Sequence, residues 1–346
     1  MKALLKKSCP RCTDSSLRTY YQSILALAKL AGRETIPAGA SWLNGALLKK
    51  IKGLPLQRYK RFSIAGVKAL NAYEVTDNKK WWEAMNDATE KYTKIRMSGK
   101  RTKREAERWP KDGYASIRKL AKQLHGEVEH LEELKPGSLN NWQRYLYQRY
   151  LIILFYSHHA LRGDLADVQL KKGARSWVRR KGKNWTIHIG HHKTFKSRGA
   201  IDFEVNSEVS AALSKFVPMV RAAKLGHSYL LSTSRGEQLQ RQDMLKLISN
   251  TTEKYIGKKI GIQILRVLKT TDKLKDLDTA HELQHEMGHS AEMQRQYLSR
   301  PSTGNHHVPP WQQVKLPPRT PCQPWARISS IVFSSSNRLA SRTGTS

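Results

Sequence analysis

Apolar positions recur along the first third of the chain with the spacing of helices that bury one face. Leu17, Tyr20, Tyr21, Ile24, Leu27, Ala28 and Ala31 make such a stripe across residues 15–31, with Ser15 or Ser16 as cap and Gly32 as stop. Residues 41–51 predict a second helix that turns Trp42, Leu43, Ala46, Leu47 and Ile51 inward. Lys49, Lys50 and Lys52 stand on its far face and end, and Gly53 and Pro55 break it. A third helix covers 56–73 and carries Arg58, Lys60 and Arg61; a fourth begins near Lys79 with Trp81, Trp82 and Met85. These predict a helical bundle over residues 15–97 with basic helix ends, after a flexible N-terminus over 1–14. Residues 98–112 are highly charged and aperiodic, which marks a linker.

The pattern then opens a second domain, residues 113–300. Helices are expected over 114–134 and 139–158, and again near 208–222, 241–256, 262–273 and 278–298. Between them the period changes to two: Trp185, Ile187 and Ile189 alternate, as do Ile201, Phe203 and Val205. These two runs flank a basic loop holding Lys193, Lys196, Arg198 and Gly199, the signature of an antiparallel hairpin. The fold class expected is therefore mainly α with a small antiparallel β-sheet. Residues 301–346 contain no Asp or Glu, are rich in Ser and Pro, and show no sustained apolar period, so a disordered basic tail is expected.

Charge narrows the partner. Among 346 residues, Lys and Arg number 62 against 28 Asp and Glu, a formal charge of +34. Such an excess fits a polyanion, because each neutralised phosphate releases counterions. A nucleic acid is favoured, and a ribosomal or chromatin-like packing protein is the bland alternative. The three cysteines, Cys9, Cys12 and Cys322, make no disulfide framework and fit a reducing compartment. Cys9 and Cys12 have the spacing of half a zinc site, but no second pair follows, so free thiols at a loose N-terminus are expected. No apolar run reaches the roughly 18 to 20 residues that span a membrane. The longest, Leu151 to Tyr156, reads as a buried helix, and Lys6 and Lys7 interrupt anything like a signal peptide.

Five short contexts carry the candidate chemistry. In chain order they are Leu161-Arg162-Gly163-Asp164, His192-Lys193-Thr194, Leu265-Arg266, Met287-Gly288-His289-Ser290 and Gln296-Tyr297-Leu298. Arginine, lysine, arginine, histidine and tyrosine in this order resemble the catalytic set of the tyrosine recombinases, or phage integrase family. Those enzymes cut and rejoin DNA through a phosphotyrosine bond. The resemblance spans about residues 15–300 and is firm from about residue 140.

The resemblance implies a role for each residue. Arg162 and Arg266 would neutralise the non-bridging oxygens of the scissile phosphate, since a guanidinium fork matches them and stays charged. Tyr297 would attack phosphorus, giving a 3′-phosphotyrosyl bond and a free 5′-hydroxyl. Lys193, on the hairpin loop, would supply the proton that the 5′-oxygen needs. His289 would hydrogen-bond the phosphate or the nucleophile. Because the bond energy is kept, no metal and no cofactor is expected. The N-terminal bundle would clamp one side of double-stranded DNA, with Lys49, Lys50, Lys52, Arg58, Lys60, Arg61, Lys196 and Arg198 as candidate phosphate contacts. A solvated face is the alternative for these cations, and the total charge tilts the choice towards phosphate. For Trp42, Trp81 and Trp82, core packing is favoured over base stacking. The resemblance further implies a recombinase of a virus or mobile element, acting as a synaptic homotetramer inside the cell, in the nucleus where the host is eukaryotic.

The chain departs from the family pattern in three places. The histidine expected three residues before the second arginine is Gln263, which hydrogen-bonds a phosphate but is no base. The acidic residue expected three after the first arginine is Leu165, with Asp164 or Asp167 as possible substitutes. His289 and Tyr297 are eight apart, slightly short, and one residue turns a helical side chain by about 100°. Each member also has an ordinary reading: Arg162 as a helix C-terminal cation, Lys196 serving in place of Lys193, Tyr297 as a core tyrosine. Arg266 lies in the apolar run 262–268, where a buried phosphate site accounts for it better than a solvated face.

Three rival functions remain. His281-Glu282-Leu283-Gln284-His285 is a literal HExxH zinc-protease motif, but it leaves the charge and the arginine–lysine series unexplained. A type IB topoisomerase would use similar chemistry without site preference. A catalytically silent DNA-binding relic would fit Gln263 and Leu165.

Overall fold

Side-chain caps from Thr13, Asn44, Thr102, Asn140 and Asn206 set where several of the helices begin. The computed structural model describes residues 1–195, 199–273 and 287. Helix α1 spans Lys2–Ser8. Its Leu5 is 1% exposed, packed against α2 (Asp14–Leu30) and α4 (Leu56–Ala72). The N-terminus expected to be loose is thus helical, because one apolar side chain docks it. The expectation of free thiols is also corrected. A turn after α1, closed by the Cys12 amide donating to Cys9 O at 3.0 Å, brings the two Cα atoms to 5.4 Å, and a disulfide joins Cys9 to Cys12.

Thr13 caps α2, and the left-handed Gly32 follows its end. Helix α3 is Gly45–Lys52 rather than 41–51, because Asn44 accepts from the Leu47 amide and starts the helix there. Trp42 and Leu43 are buried ahead of it. Helix α5 is Lys79–Met97. Its Trp81 is buried, donates Nε1–H to Leu43 O at 3.1 Å, and lies over Gly66 of α4 so closely that a Cβ there would come within 2.2 Å of the ring. Trp82, expected in the core with it, is exposed instead: the next helical position points about 100° away. The expected linker holds a short helix, α6 (Lys103–Arg108), fixed by a Thr102–Glu105 capping box.

Helix α7 (Ala115–Val128) and α8 (Asn141–His158) open a second hydrophobic core. An Asn140–Gln143 capping box starts α8, which is buried on nearly every side from Tyr150 to Ser157. A three-stranded antiparallel sheet in the order β1-β2-β3 packs on this core. Its strands are Ser176–Lys181, Asn184–Ile189 and Ile201–Glu204. Val178 pairs with Ile187 and Ile187 with Phe203, so one face is apolar. Strand β1 carries no alternation through its basic half, Arg179 to Lys181, and only its pairing reveals it. Helices α9 (Ser207–Ala222), α10 (Arg241–Ile256) and α11 (Ile262–Lys273) complete the described fold. The expected helix over 278–298, apart from Met287, and the expected disordered tail over 301–346 lie outside the described residues. Among the described residues no helix is long and apolar enough to cross a membrane.

Candidate active site

The site is built on the turn after α8. His158 ends that helix, Ala160 and Leu161 are buried, and Arg162 enters a 3-10 turn over Gly163–Asp167 in extended conformation. Arg162 stands four residues past the helix end, half-buried, so it is no ordinary helix-terminal cation. The Tyr156 hydroxyl donates to Arg162 O at 2.7 Å and pins the turn to α8. Burial, the largest cause, holds that hydroxyl far above its usual range; Asp164 adds to this, and Arg266 and Arg241 oppose it.

Helix α11 crosses the same turn. Arg266 is 2% exposed and donates Nε–H to Ala160 O at 3.0 Å and Nη2–H to Met287 O at 3.3 Å. Three residues on, Lys269 donates to His158 O. Two arginines far apart in sequence thus meet at one loop, and the apolar positions Ile264, Leu265, Val267 and Leu268 fix the orientation of α11. The solvated alternative for Arg266 is excluded by its burial. Gln263, one turn earlier, is exposed.

The hairpin loop follows β2. His192 is buried, with Nδ1 at 3.1 Å from Thr194 Oγ1 and Nε2 at 2.8 Å from Gly199 O. These bonds close the loop base and leave Lys193 exposed on it. Arg241, Arg162 and His192 all oppose, by their charge, the burial that pushes the Asp164 carboxyl up. The loop base and the Arg162 turn therefore share one electrostatic environment. Lys196 and Arg198 in this loop, and His289 and Tyr297 beyond α11, lie outside the described residues, as does the HExxH stretch. Among the described residues no three His, Cys, Asp or Glu side chains group as metal ligands would.

Leu165 is core, 2% exposed. Its neighbours Asp164 and Asp167 face a cation instead: Arg241 lies 2.9 Å from Asp164 and 2.5 Å from Asp167. Sequence reasoning does not find Arg241. One signal is present, a cation at the first position of α10, where the helix dipole disfavours it unless carboxylates face it.

The bundle cations divide into two groups. Lys49, Lys52 and Arg58 are exposed. Lys50 donates to Leu30 O at 2.9 Å, and Arg61 to Ser23 Oγ at 3.0 Å. Lys60 lies 4.1 Å from the Tyr92 ring centre, and partial burial lowers its ammonium from the ordinary range.

The chain matches no protein-family model and no curated protein. It is similar to two crystal structures of the XerH site-specific recombinase. The first, bound to difH substrate in a pre-cleavage complex, has 14% identity and TM-score 0.52, and the match covers 87% of this chain and 82% of that one. The second, bound to palindromic difH in a post-cleavage complex, has 15% identity and TM-score 0.51, over 86% and 80%. The fold of this chain, mainly α with a small antiparallel sheet, is shared with these XerH structures.

Proposed function

We propose that this protein is a site-specific DNA recombinase that cuts and rejoins duplex DNA through a covalent 3′-phosphotyrosine on Tyr297. The observation that carries this reading is the meeting of buried Arg266 with the turn bearing Arg162, beside the anchored loop bearing Lys193. A phosphodiester is a poor electrophile until its non-bridging oxygens are neutralised, and a guanidinium fixed in a dry site does this without reorganising. Arg266 is held by two backbone carbonyls, and Tyr156 pins the carbonyl of Arg162 to α8, so the Arg266 guanidinium and the turn that carries Arg162 are set before substrate arrives. Lys193 is presented outward, as a proton donor to the departing 5′-oxygen must be. His289 completes the phosphate contacts. Residues 15–97 act as the DNA clamp, 113–300 as the catalytic domain, and 301–346 as a basic tail on the DNA. The XerH neighbours, bound to their difH substrates, support a DNA duplex as ligand. Strand exchange proceeds within a homotetramer on two duplexes, in a virus or mobile element.

The test is adduct formation with nicked duplex DNA carrying the ends of the native element, in EDTA, read on a denaturing gel. A DNA-linked protein band that Tyr297→Phe abolishes while DNA binding persists is the expected result. Binding without any band, or a band that survives Tyr297→Phe, overturns the reading. Relaxation of supercoiled DNA of any sequence would mark a topoisomerase instead.

A further inference from the structure

We infer that Arg241 and Asp164 form a positioning pair that sets Arg162 for phosphate binding, a role that rests on the recombinase reading above. Asp164 is 2% exposed, and Arg241, from the first turn of α10, reaches it at 2.9 Å and Asp167 at 2.5 Å. The Arg241 side chain crosses Gly163 to do so: a Cβ at Gly163 would sit 2.8 Å from Arg241 Cγ. Any side chain after Arg162 would push the Arg241 side chain from this path, so glycine gives the bridge its room. Arg241 thus staples both acidic residues of the 3-10 turn to α10, while Tyr156 pins the carbonyl of Arg162 to α8. Arg162 is caught between the two anchors.

The approach to Asp164 is at ion-pair distance without hydrogen-bond alignment, since its Oδ1 has no hydrogen-bond partner. The hold on the carboxylate is electrostatic, which makes it sensitive to charge. Asp164 faces Arg241 from α10, Arg162 and Asp167 from its own turn, His192 from the hairpin loop and Tyr156 from α8. Burial already pushes its carboxyl up, and Arg241 is the first cause opposing that. Removing Arg241 moves the carboxyl further up, so Asp164 loses its charge as pH falls at a higher pH than in the parent protein.

The reason to place this pair in the reaction, rather than in stability alone, is its address. Arg241 grips the very turn that aims Arg162, and it does so across the next residue, Gly163. A guanidinium displaced by about 1 Å from a transition state costs on the order of 100-fold in rate.

The experiment measures the single-turnover rate of adduct formation at saturating nicked DNA, the Kd for the same DNA, and the rate against pH. The variants are Asp164→Asn, Arg241→Gln, Arg241→Lys and the double Asp164→Asn/Arg241→Gln, which leaves no unpaired buried charge and so guards against misfolding. We expect each neutralising variant to lose on the order of 10- to 100-fold in rate with Kd within about twofold, and the double to be no worse than the poorer single. Arg241→Lys should restore part of the rate. The acid limb of the pH profile should move to higher pH in Arg241→Gln and vanish in Asp164→Asn. Parental rates in these variants, losses confined to Kd, or an unmoved acid limb would overturn the proposal. A parent protein that forms no adduct removes the recombinase reading itself, and the positioning role with it.

Discussion

Two sets of cations in this molecule are held in opposite ways. Lys49, Lys52 and Arg58, on the N-terminal bundle, are exposed on short polar stretches of α3 and α4. Arg266, on α11, is 2% exposed and bonded to two backbone carbonyls. An exposed ammonium is screened by salt and contributes to affinity by releasing counterions from any phosphate it meets. A buried guanidinium is costly to place, and that cost is met here by the Ala160 and Met287 carbonyls. On the recombinase reading, the charge that is hard to bury sits where its field must be strong and fixed, and the charge that is easily exposed is spread where grip on DNA matters.

That contrast can be broken from either side. The largest effect is expected at Arg266. Arg266→Ala should lower single-turnover cleavage by roughly 100- to 1,000-fold, the usual cost of one preorganised charge-stabilising donor, with little change in Kd. Its melting temperature should be followed in parallel, because two buried carbonyls are then left without that donor. Next comes a purely structural site in the other region. Gly66→Ala would push a Cβ to 2.2 Å from the Trp81 ring, and overpacking of this kind costs about 1–3 kcal/mol. Urea unfolding should register the destabilisation with the cleavage rate of the folded fraction unchanged.

The triple change of Lys49, Lys52 and Arg58 to Ala should weaken DNA binding at all sequences. It should reduce the slope of log K against log salt by up to about 0.9 for each phosphate no longer neutralised, leaving the rate at saturation intact. The smallest effect is expected at Lys50. Its ammonium already serves Leu30 O, so Lys50→Ala should change DNA affinity by less than about threefold. A weakening as large as that of the triple variant would put Lys50 on the DNA.

How much of this is legible in the sequence depends on what each feature is made of. Helices with a long apolar stripe, such as α4 and α8, can be read directly, because burial of one or all faces imposes the 3.6-residue period. So can β2 and β3, where alternation is clean. Strand β1 escapes because half of it is Arg179-Arg180-Lys181, and its membership in the sheet comes from the partner strand alone. The start of α3 lies later than its apolar stripe suggests because Trp42 is apolar but packs from a loop. The cation order points to Arg162, Lys193 and Arg266, and the turn after α8 brings the two arginines together. Asp164 and Asp167 can be picked out as acidic residues beside Arg162, but their partner Arg241 stays hidden: the bridge joins distant elements, and no local period records an ion pair. The Cys9–Cys12 disulfide is likewise unreadable, since spacing alone does not distinguish a bonded pair from free thiols.

The most direct test of the central claim compares Arg266→Ala with the Lys49/Lys52/Arg58 triple variant on one DNA substrate, measuring Kd and the single-turnover rate of adduct formation for each. The account predicts a clean split: the buried arginine changes the rate and spares Kd, the exposed cations change Kd and spare the rate. If Arg266→Ala, still folded, forms adduct at the parental rate once DNA is saturating, the buried guanidinium is a structural cation and the proposed site is wrong.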